Sequence, residues 1–320
     1  MRLDFAPAIG AEYRSGRGAF PWKHVLGTMR FLIVPAAWGT LILLVIGLFG
    51  EWVALADSVG VFRPQIATLT GAFGAAFLVS RKTFAGVLFL FCAVAAQAST
   101  LANPTGHGKH SYPMALYQKN LLVIGSSPEA IAEDIRSHAP DFVTLQEISN
   151  RNLSQVKSLA SSYPEHVICR SSKQRAVALF SDHPLIPGSA GCYPDLNLAL
   201  AQVDIGEERI WVASVHLPWP FPYAQAAQAS RVADVLSVLE GKVIVAGDFN
   251  MVPWGGSVAR IARAIGGQRA GAAVTSFPAF QPLVPLAIDH VLLPSGAGAI
   301  TEARPLLGSD HYGLLTRFKL

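Results

Sequence analysis

Carboxylates, histidines and amides recur through residues 111–320 of this 320-residue chain at points where apolar runs stop. DFVTLQE ends on Glu147, SVH ends on His216, and KVIVA runs into GDFN with Asp248 and Asn250. Asp289-His290 and Ser309-Asp310-His311 close the series, and Asn120 opens it at the expected start of the strand LLVIG. Singly, each has a bland reading. Asn120 and GDFN suit turns, Glu147 a solvated strand end, and His216 a partly buried, satisfied side chain. Together they put more ionisable chemistry at strand ends than a structural domain carries. Strand ends are also where a sheet can hold side chains in fixed geometry.

The order N…QE…H…GDFN…DH…SDH resembles the endonuclease/exonuclease/phosphatase superfamily over about residues 111–320. QE, GDFN and SDH are specific in combination and weak apart. AVALFSDHPL and GDFNMVPW are similar to further segments of that family. The resemblance implies an α+β fold: a four-layer α/β/β/α sandwich of two facing sheets with helices outside and the site at one rim. It implies that Asn120, Glu147 and Asp310 hold a divalent cation, and their oxygen donors suit Mg2+ or Mn2+ better than zinc. It implies that Asp248 and Asn250 orient or deprotonate the attacking water and contact the phosphate. His311 would lie beside the scissile phosphate, oriented by Asp289, with His216 as a second phosphate-facing histidine. Metal and histidines would then stabilise a pentavalent transition state while water attacks in line. Some members carry a carboxylate just after the asparagine, where this chain has Leu121-Leu122. His290 is assigned packing or a supporting hydrogen bond, and His183, in SDHP, a strand-turn role.

The elements that must position these residues alternate in type. The expected strands are LLVIG, DFVTLQE, EHVICR, AVALFS, LALAQVDI, RIWVASVHL, KVIVAGDFN, AIDHVLL and YGLLTRFKL, with helices over 128–138, 223–239 and 257–265. Around eight strands with interposed helices predict sheets covered by helices. PWPFPY, at 218–223, follows the strand of His216 and is expected to form an apolar lip at the site mouth. A Pro-rich turn packed on the next helix is the alternative.

The first third of the chain is different. Hydrophobic residues make up 51% of the sequence and charged residues only 14%, against roughly 25% charged in a soluble domain. Nine Lys/Arg and four Asp/Glu fall in residues 1–110, sixteen and seventeen in 111–320. The net +4 therefore belongs beside the apolar segments and is no evidence for nucleic-acid binding. A membrane region over 1–98 is expected, with spans at about 31–49, 61–79 and 83–98, followed by a Gly/Pro/His-rich linker over 99–113 and a catalytic domain over 114–320. Arg63 would snorkel at the edge of the second span. No cleavable signal sequence is expected.

Arg14, Arg17, Lys23 and Arg30 precede the first span, and Arg81-Lys82 separate the second and third. The positive-inside rule then predicts a multi-pass protein of the cell membrane with its catalytic domain extracytoplasmic; two spans alone would reverse that side. In an oxidising compartment Cys169 and Cys192 are expected to be bonded, the alternative being two separate buried thiols. The partners implied are the lipid bilayer and a phosphoester substrate, whether phospholipid, inositol phosphate or nucleic acid, with no obligate protein partner. The function expected is a membrane-anchored, metal-dependent phosphoester hydrolase. The alternatives are an extracytoplasmic nuclease of the same superfamily and a non-catalytic binding module on the same fold. A membrane-embedded transporter or scaffold is excluded because the spans carry no central charge.

Overall fold

Apolar runs of two lengths dictate two kinds of structure here: long ones become helices, short ones strands. The computed structural model describes residues 22–101, 112–123, 127–172, 175–206, 208–278 and 284–320. The chain separates into two units, Met1–Gly39 and Thr40–Leu320. Of the first, the structure describes the start of helix α1 (Trp22–Ile46), which carries Pro35; everything below concerns the second. There α1 ends and is followed by the short α2 (Ala54–Gly60), α3 (Arg63–Val79) and α4 (Thr83–Leu101). Leu32–Phe49 and Thr83–Leu101 are long and apolar enough to cross a membrane. The middle span expected at 61–79 forms a helix of 17 residues, about 26 Å long at 1.5 Å per residue and slightly short of a ~30 Å hydrocarbon core. Its Arg63 does not snorkel. It is buried, donating to the Gly47 carbonyl at 3.0 Å and to Ser99 Oγ at 3.3 Å. Most of the expected linker lies outside the described residues.

Two six-stranded sheets follow. One is built from β1 (Met114–Asn120), β2 (Phe142–Ile148), β3 (Glu165–Ser172), β4 (Arg175–Ser181), β11 (Gly298–Arg304) and β12 (Gly313–Lys319), in the order β11-β12-β1-β2-β4-β3. The other is built from β5 (Gly191–Tyr193), β6 (Leu198–Asp204), β7 (Arg209–His216), β8 (Lys242–Asp248), β9 (Gly267–Arg269) and β10 (Asp289–Pro294), in the order β5-β6-β7-β8-β10-β9. Period-two alternation sorts their side chains. Leu116 and Phe142 of one sheet meet Val212, Ile244 and Ala246 of the other in the central core. Val143 and Leu145 pack outward with Ile131 and Ile135 of α5 (Pro128–His138) and Val156 of α6 (Leu153–Ser158). Val243 and Val245 pack outward with Val232 and Leu236 of α7 (Gln225–Ser237) and Ile261 of α8 (Gly256–Ala264). The result is the expected α/β/β/α sandwich.

One strand was misplaced by the sequence pattern. Asn120 ends β1, MALYQKN, instead of starting LLVIG; residues 121–123 leave the strand, and 124 and 125 are outside the described residues. Gln118 and Lys119 hide the strand, because both are polar yet fully buried. The short β5 and β9 and the half-exposed β11 also escape hydrophobic patterning. Cys169 of β3 and Cys192 of β5 form a disulfide with their Cα atoms 5.1 Å apart, tying edge strands of the two sheets together.

Candidate functional site

Strand direction brings the polar groups to one rim. β1 and β2 run parallel with Asn120 opposite Gln146, and β7 and β8 run parallel with His216 opposite Asp248. Both pairs therefore end at the same edge. β10 runs antiparallel to β8 and begins there, with Asp289 opposite Asp248. β12 is antiparallel to β1, so His311, just before it, arrives at the same edge. Alternation then turns the side chains inward: Ile244 and Ala246 belong to the central core, and Asp248 is the next residue on that face.

Asp248 is the hub. Its Oδ2 accepts from Asn120 Nδ2 at 2.9 Å and from Asn250 Nδ2 at 3.2 Å, and its Oδ1 accepts from the Asn250 amide at 2.8 Å. His216 Nε2 lies 3.5 Å and His311 Nε2 3.8 Å from Oδ2. On the far side of its ring, His311 Nδ1 bonds Asp289 Oδ2 at 2.7 Å. Glu147 is less enclosed; its Oε2 accepts from the Val123 amide at 3.1 Å and its Oε1 lies 3.7 Å from His216 Nε2. Asp310 is solvent-exposed beside His311. Two of these positions are held in left-handed backbone, Glu147 at φ 56° and Asn250 at φ 47°, a conformation that costs energy and is common where geometry is over-determined. Gly247 is needed next to Asp248, since a Cβ there would overlap the Val215 carbonyl oxygen.

Charge follows from burial and pairing. Burial pushes Asp248 up to about 7, opposed by the positive charge of His311. Burial works against a charged His311, but the carboxylates of Asp289 and Asp248 outweigh it and raise the imidazole to about 10. Burial also opposes ionisation of Asp289, yet His311 overrides it and holds the carboxyl below the usual range. His216 goes the other way: burial lowers it to about 4, leaving a neutral ring.

Asp248, Asp289 and His311 carry potential ligand atoms all within 4.8 Å of one another. The short His311–Asp289 bond occupies two of those three groups with each other, so they read as an oriented histidine rather than a cation cage. Glu147 accepts from the Val123 amide and lies 3.7 Å from the neutral His216, and it follows Gln146, the partner of Asn120 across β1 and β2. Carboxylates outnumber cationic groups in this cluster, and the free donors are hard oxygens. The residues present therefore fit a divalent cation of the Mg2+ kind.

Three supporting residues escaped the sequence reading as such. Gln118 Nε2 donates to Asp289 Oδ1 at 2.7 Å and to Gln146 Oε1 at 2.8 Å, and Gln146 Nε2 donates to Ser214 Oγ at 3.1 Å. Lys119 Nζ donates to the carbonyls of Pro305, Leu306 and His311 at 2.6 to 3.0 Å, pinning the loop that carries the histidine. Gln118 and Gln146 stand two and one residues before Asn120 and Glu147, a spacing that could have marked them. His290 takes the supporting role expected of it, with Nε2 2.7 Å from the Met251 carbonyl. His183 bonds Asp141 at 2.8 Å beside the start of β2, at the opposite rim.

The model of the Endonuclease/Exonuclease/phosphatase family matches residues 117–311. The chain belongs to this family. No curated protein matches it significantly. Among solved structures, an endonuclease/exonuclease/phosphatase from Bacteroides vulgatus superposes with a TM-score of 0.53 at 14% identity, covering 65% of this chain and 98% of that one. Mannosyl-6-phosphatase Bt3783 of Bacteroides thetaiotaomicron gives 0.51 at 14% identity, covering 65% and 100%. An AP endonuclease from Archaeoglobus fulgidus gives 0.50 at 14% identity, again covering 65% and 100%. At such identities the likeness is one of fold. Membership of the endonuclease/exonuclease/phosphatase family makes the chain a metal-dependent hydrolase of ester bonds.

Proposed function

We propose that the chain is a membrane-tethered phosphoester hydrolase whose catalytic residues are His216, Asp248, Asn250, Asp289 and His311. The observation that carries this reading is the buried pairing of the Asp248 carboxylate with the His311 imidazolium, 3.8 Å apart, at the rim. A carboxyl group near 7 is matched to accepting a proton at neutral pH. Asn250 and Asn120 fix its direction. The oxygen of water forms the new P–O bond while the ester P–O bond breaks. Asp248 takes the water proton, and the proton on His311 is available to the leaving oxygen, so the products are an alcohol and a phosphate bearing the added oxygen. His311, held by Asp289, and neutral His216 offer N–H donors to the phosphoryl oxygens as charge develops. Asn120, Glu147 and Asp310 would hold Mg2+ or Mn2+, which when bound neutralises phosphoryl charge.

Nuclease grooves need free basic side chains along the backbone path. Residues 111–320 carry sixteen Lys/Arg against seventeen Asp/Glu, and of these bases Lys119 is committed to three carbonyls and Arg304 to Asp134, at 2.7 Å. That favours a small or lipid phosphoester over nucleic acid.

We also propose a multi-pass arrangement in the cell membrane with the catalytic part extracytoplasmic. Residues 51–60, between α1 and α3, bond directly to the catalytic domain: Asp57 Oδ1 accepts from the Gly256 amide at 2.8 Å and Trp254 Nε1 donates to the Gly60 carbonyl at 2.7 Å. Two segments in contact lie on one side of a bilayer, so α3 and α4 would cross as a pair or not at all. The Cys169–Cys192 bond favours an oxidising compartment.

The test is a substrate panel for the full chain in detergent with Mg2+, spanning DNA, RNA, phosphoinositides and sphingomyelin. Asp248→Ala and His311→Ala should each lower kcat by roughly 10³-fold with folding retained. Full activity in EDTA, or near-normal turnover in both variants, would reject the reading.

A further inference from the structure

Next to the catalytic rim lies a second concavity of about 270 Å3 whose walls are apolar. Val61 and Phe62 form one wall, Trp219 and Phe221 another, Leu286 lies on the floor, and Asn250 marks the junction with the catalytic groups. A ladder of rings joins the two spaces. Trp219 meets Phe277 edge-on at 5.7 Å, and Phe277 packs 5.0 Å from the ring of His311. The apolar wall therefore begins one aromatic ring away from the catalytic histidine.

The first wall belongs to the connection between the apolar helices α1 and α3, and it is firmly docked. Besides the Asp57 and Trp254 bonds, Glu51 pairs with Arg263 at 2.7 Å, its carbonyl accepts from Arg260 at 2.7 Å, and Ser58 Oγ donates to the Phe221 carbonyl at 3.2 Å. Backbones approach so closely that a Cβ at Gly256 would come within 2.7 Å of the Gly50 carbonyl oxygen. This connection also presents large apolar side chains outward, with Trp52 75% and Leu55 53% exposed. The lip is exposed as well, Trp219 at 40% and Phe221 at 50%. The cavity thus has one end at the phosphoester chemistry and its rim on the chain segment that joins the apolar helices α1 and α3.

We propose that this cavity takes the hydrocarbon chain of an amphiphilic phosphoester while its phosphate lies among His216, Asp248 and His311. The proposal rests on the hydrolase reading above and narrows its substrate class to phosphoesters carrying an alkyl or acyl chain. The reaction is unchanged: water adds to phosphorus, the ester P–O bond breaks, and the chain leaves with a hydroxyl group or remains on the phosphate, according to which ester is cut.

The test uses the full chain in nanodiscs with two homologous series, n-alkyl phosphates and n-alkyl p-nitrophenyl phosphodiesters, from ethyl to dodecyl. Each added methylene that enters the cavity should raise kcat/KM by roughly fourfold. The rise should stop once the chain has filled the volume of about 270 Å3. Partition into the nanodisc also steepens such a series, but it has no such limit and is blind to protein changes. Leu286→Trp and Val61→Trp, which fill the cavity from two walls, should therefore flatten the slope and move the limit to shorter chains. Hydrolysis of the ethyl compounds with a flat series, or a slope identical in wild type and folded variants with no limit, overturns the pocket and leaves the hydrolase reading standing. No hydrolysis of either series sinks the hydrolase reading instead. In that case chain-dependent thermal stabilisation by decyl phosphate over inorganic phosphate would still support the pocket, and equal effects would reject it.

Discussion

His311 is held as a cation at the catalytic rim chiefly by Asp289, 2.7 Å behind it, with Asp248 adding to the effect. Asp289→Asn keeps the acceptor for Gln118 and removes the charge that holds the imidazolium. We expect kcat to fall by roughly 10²-fold or more, with the unfolding midpoint little changed, in steady-state assays run beside thermal melts. Undiminished kcat would detach Asp289 from the reaction. His290, its neighbour, has the opposite character: burial lowers it to about 4, and it sits neutral against the Met251 carbonyl. A histidine whose folded value is depressed gives stability that is fully present above its unfolded value of ~6.5 and is lost as pH falls from there toward about 4. His290→Gln can retain a donor for Met251 and cannot titrate. Across that window its stability should depend on pH less steeply than wild type, by up to one proton per molecule. Parallel curves from melts at several pH values would exclude His290 as the source.

At the scale of elements, the rim exists because two parallel strand pairs end together and an antiparallel strand in each sheet starts beside them. Holding the two sheets in register is then part of holding the site. The Cys169–Cys192 bond does this at one edge, joining β3 to β5 across a sequence separation of 23 residues. A closure of that length stabilises the fold by about 3 kcal/mol in the chain-entropy model. Cys169→Ala with Cys192→Ala should lower stability by that order in denaturant titration, and reductant should then have no further effect. Wild-type stability in the double variant would mean that the edges hold without the bond. The buried layer of Gln118, Gln146 and Ser214 beneath the rim ties the two sheets together centrally, where a hydrogen bond left unmade costs more than one gained.

For the whole molecule, the decisive contacts join residues far apart in the chain. Asp57 and Gly256 are 199 positions apart, yet the carboxylate caps the first turn of α8. If the catalytic part shares a side with residues 51–60 and α3 and α4 cross as a hairpin, residue 82 lies on the opposite face. With Cys92 replaced by Ala, Lys82→Cys should resist a membrane-impermeant maleimide in intact cells while Glu302→Cys on β11 is labelled. Labelling of both would mean that the hairpin does not cross, and protection of Glu302→Cys alone would reverse the orientation.

The order of short motifs and two membrane-length apolar helices were legible in the sequence, because strand-end residue types and hydrophobic periodicity are local signals; the sandwich followed from the family resemblance that those motifs carry. The strand MALYQKN was not legible, since Gln118 and Lys119 break the apolar pattern and their burial is offset by distant partners, Gln146 and Asp289 for the amide and carbonyls near His311 for the ammonium. Nor could the sequence tell which histidine is charged. His216 and His311 are both buried beside Asp248, but Asp289 bonds the His311 ring directly at 2.7 Å whereas Glu147 stands 3.7 Å from His216. The cavity wall contributed by Val61 and Phe62 was equally hidden, because it comes from the third of the chain that reads as membrane. Periodicity reports which way a side chain faces; what it faces is decided by contacts between distant segments.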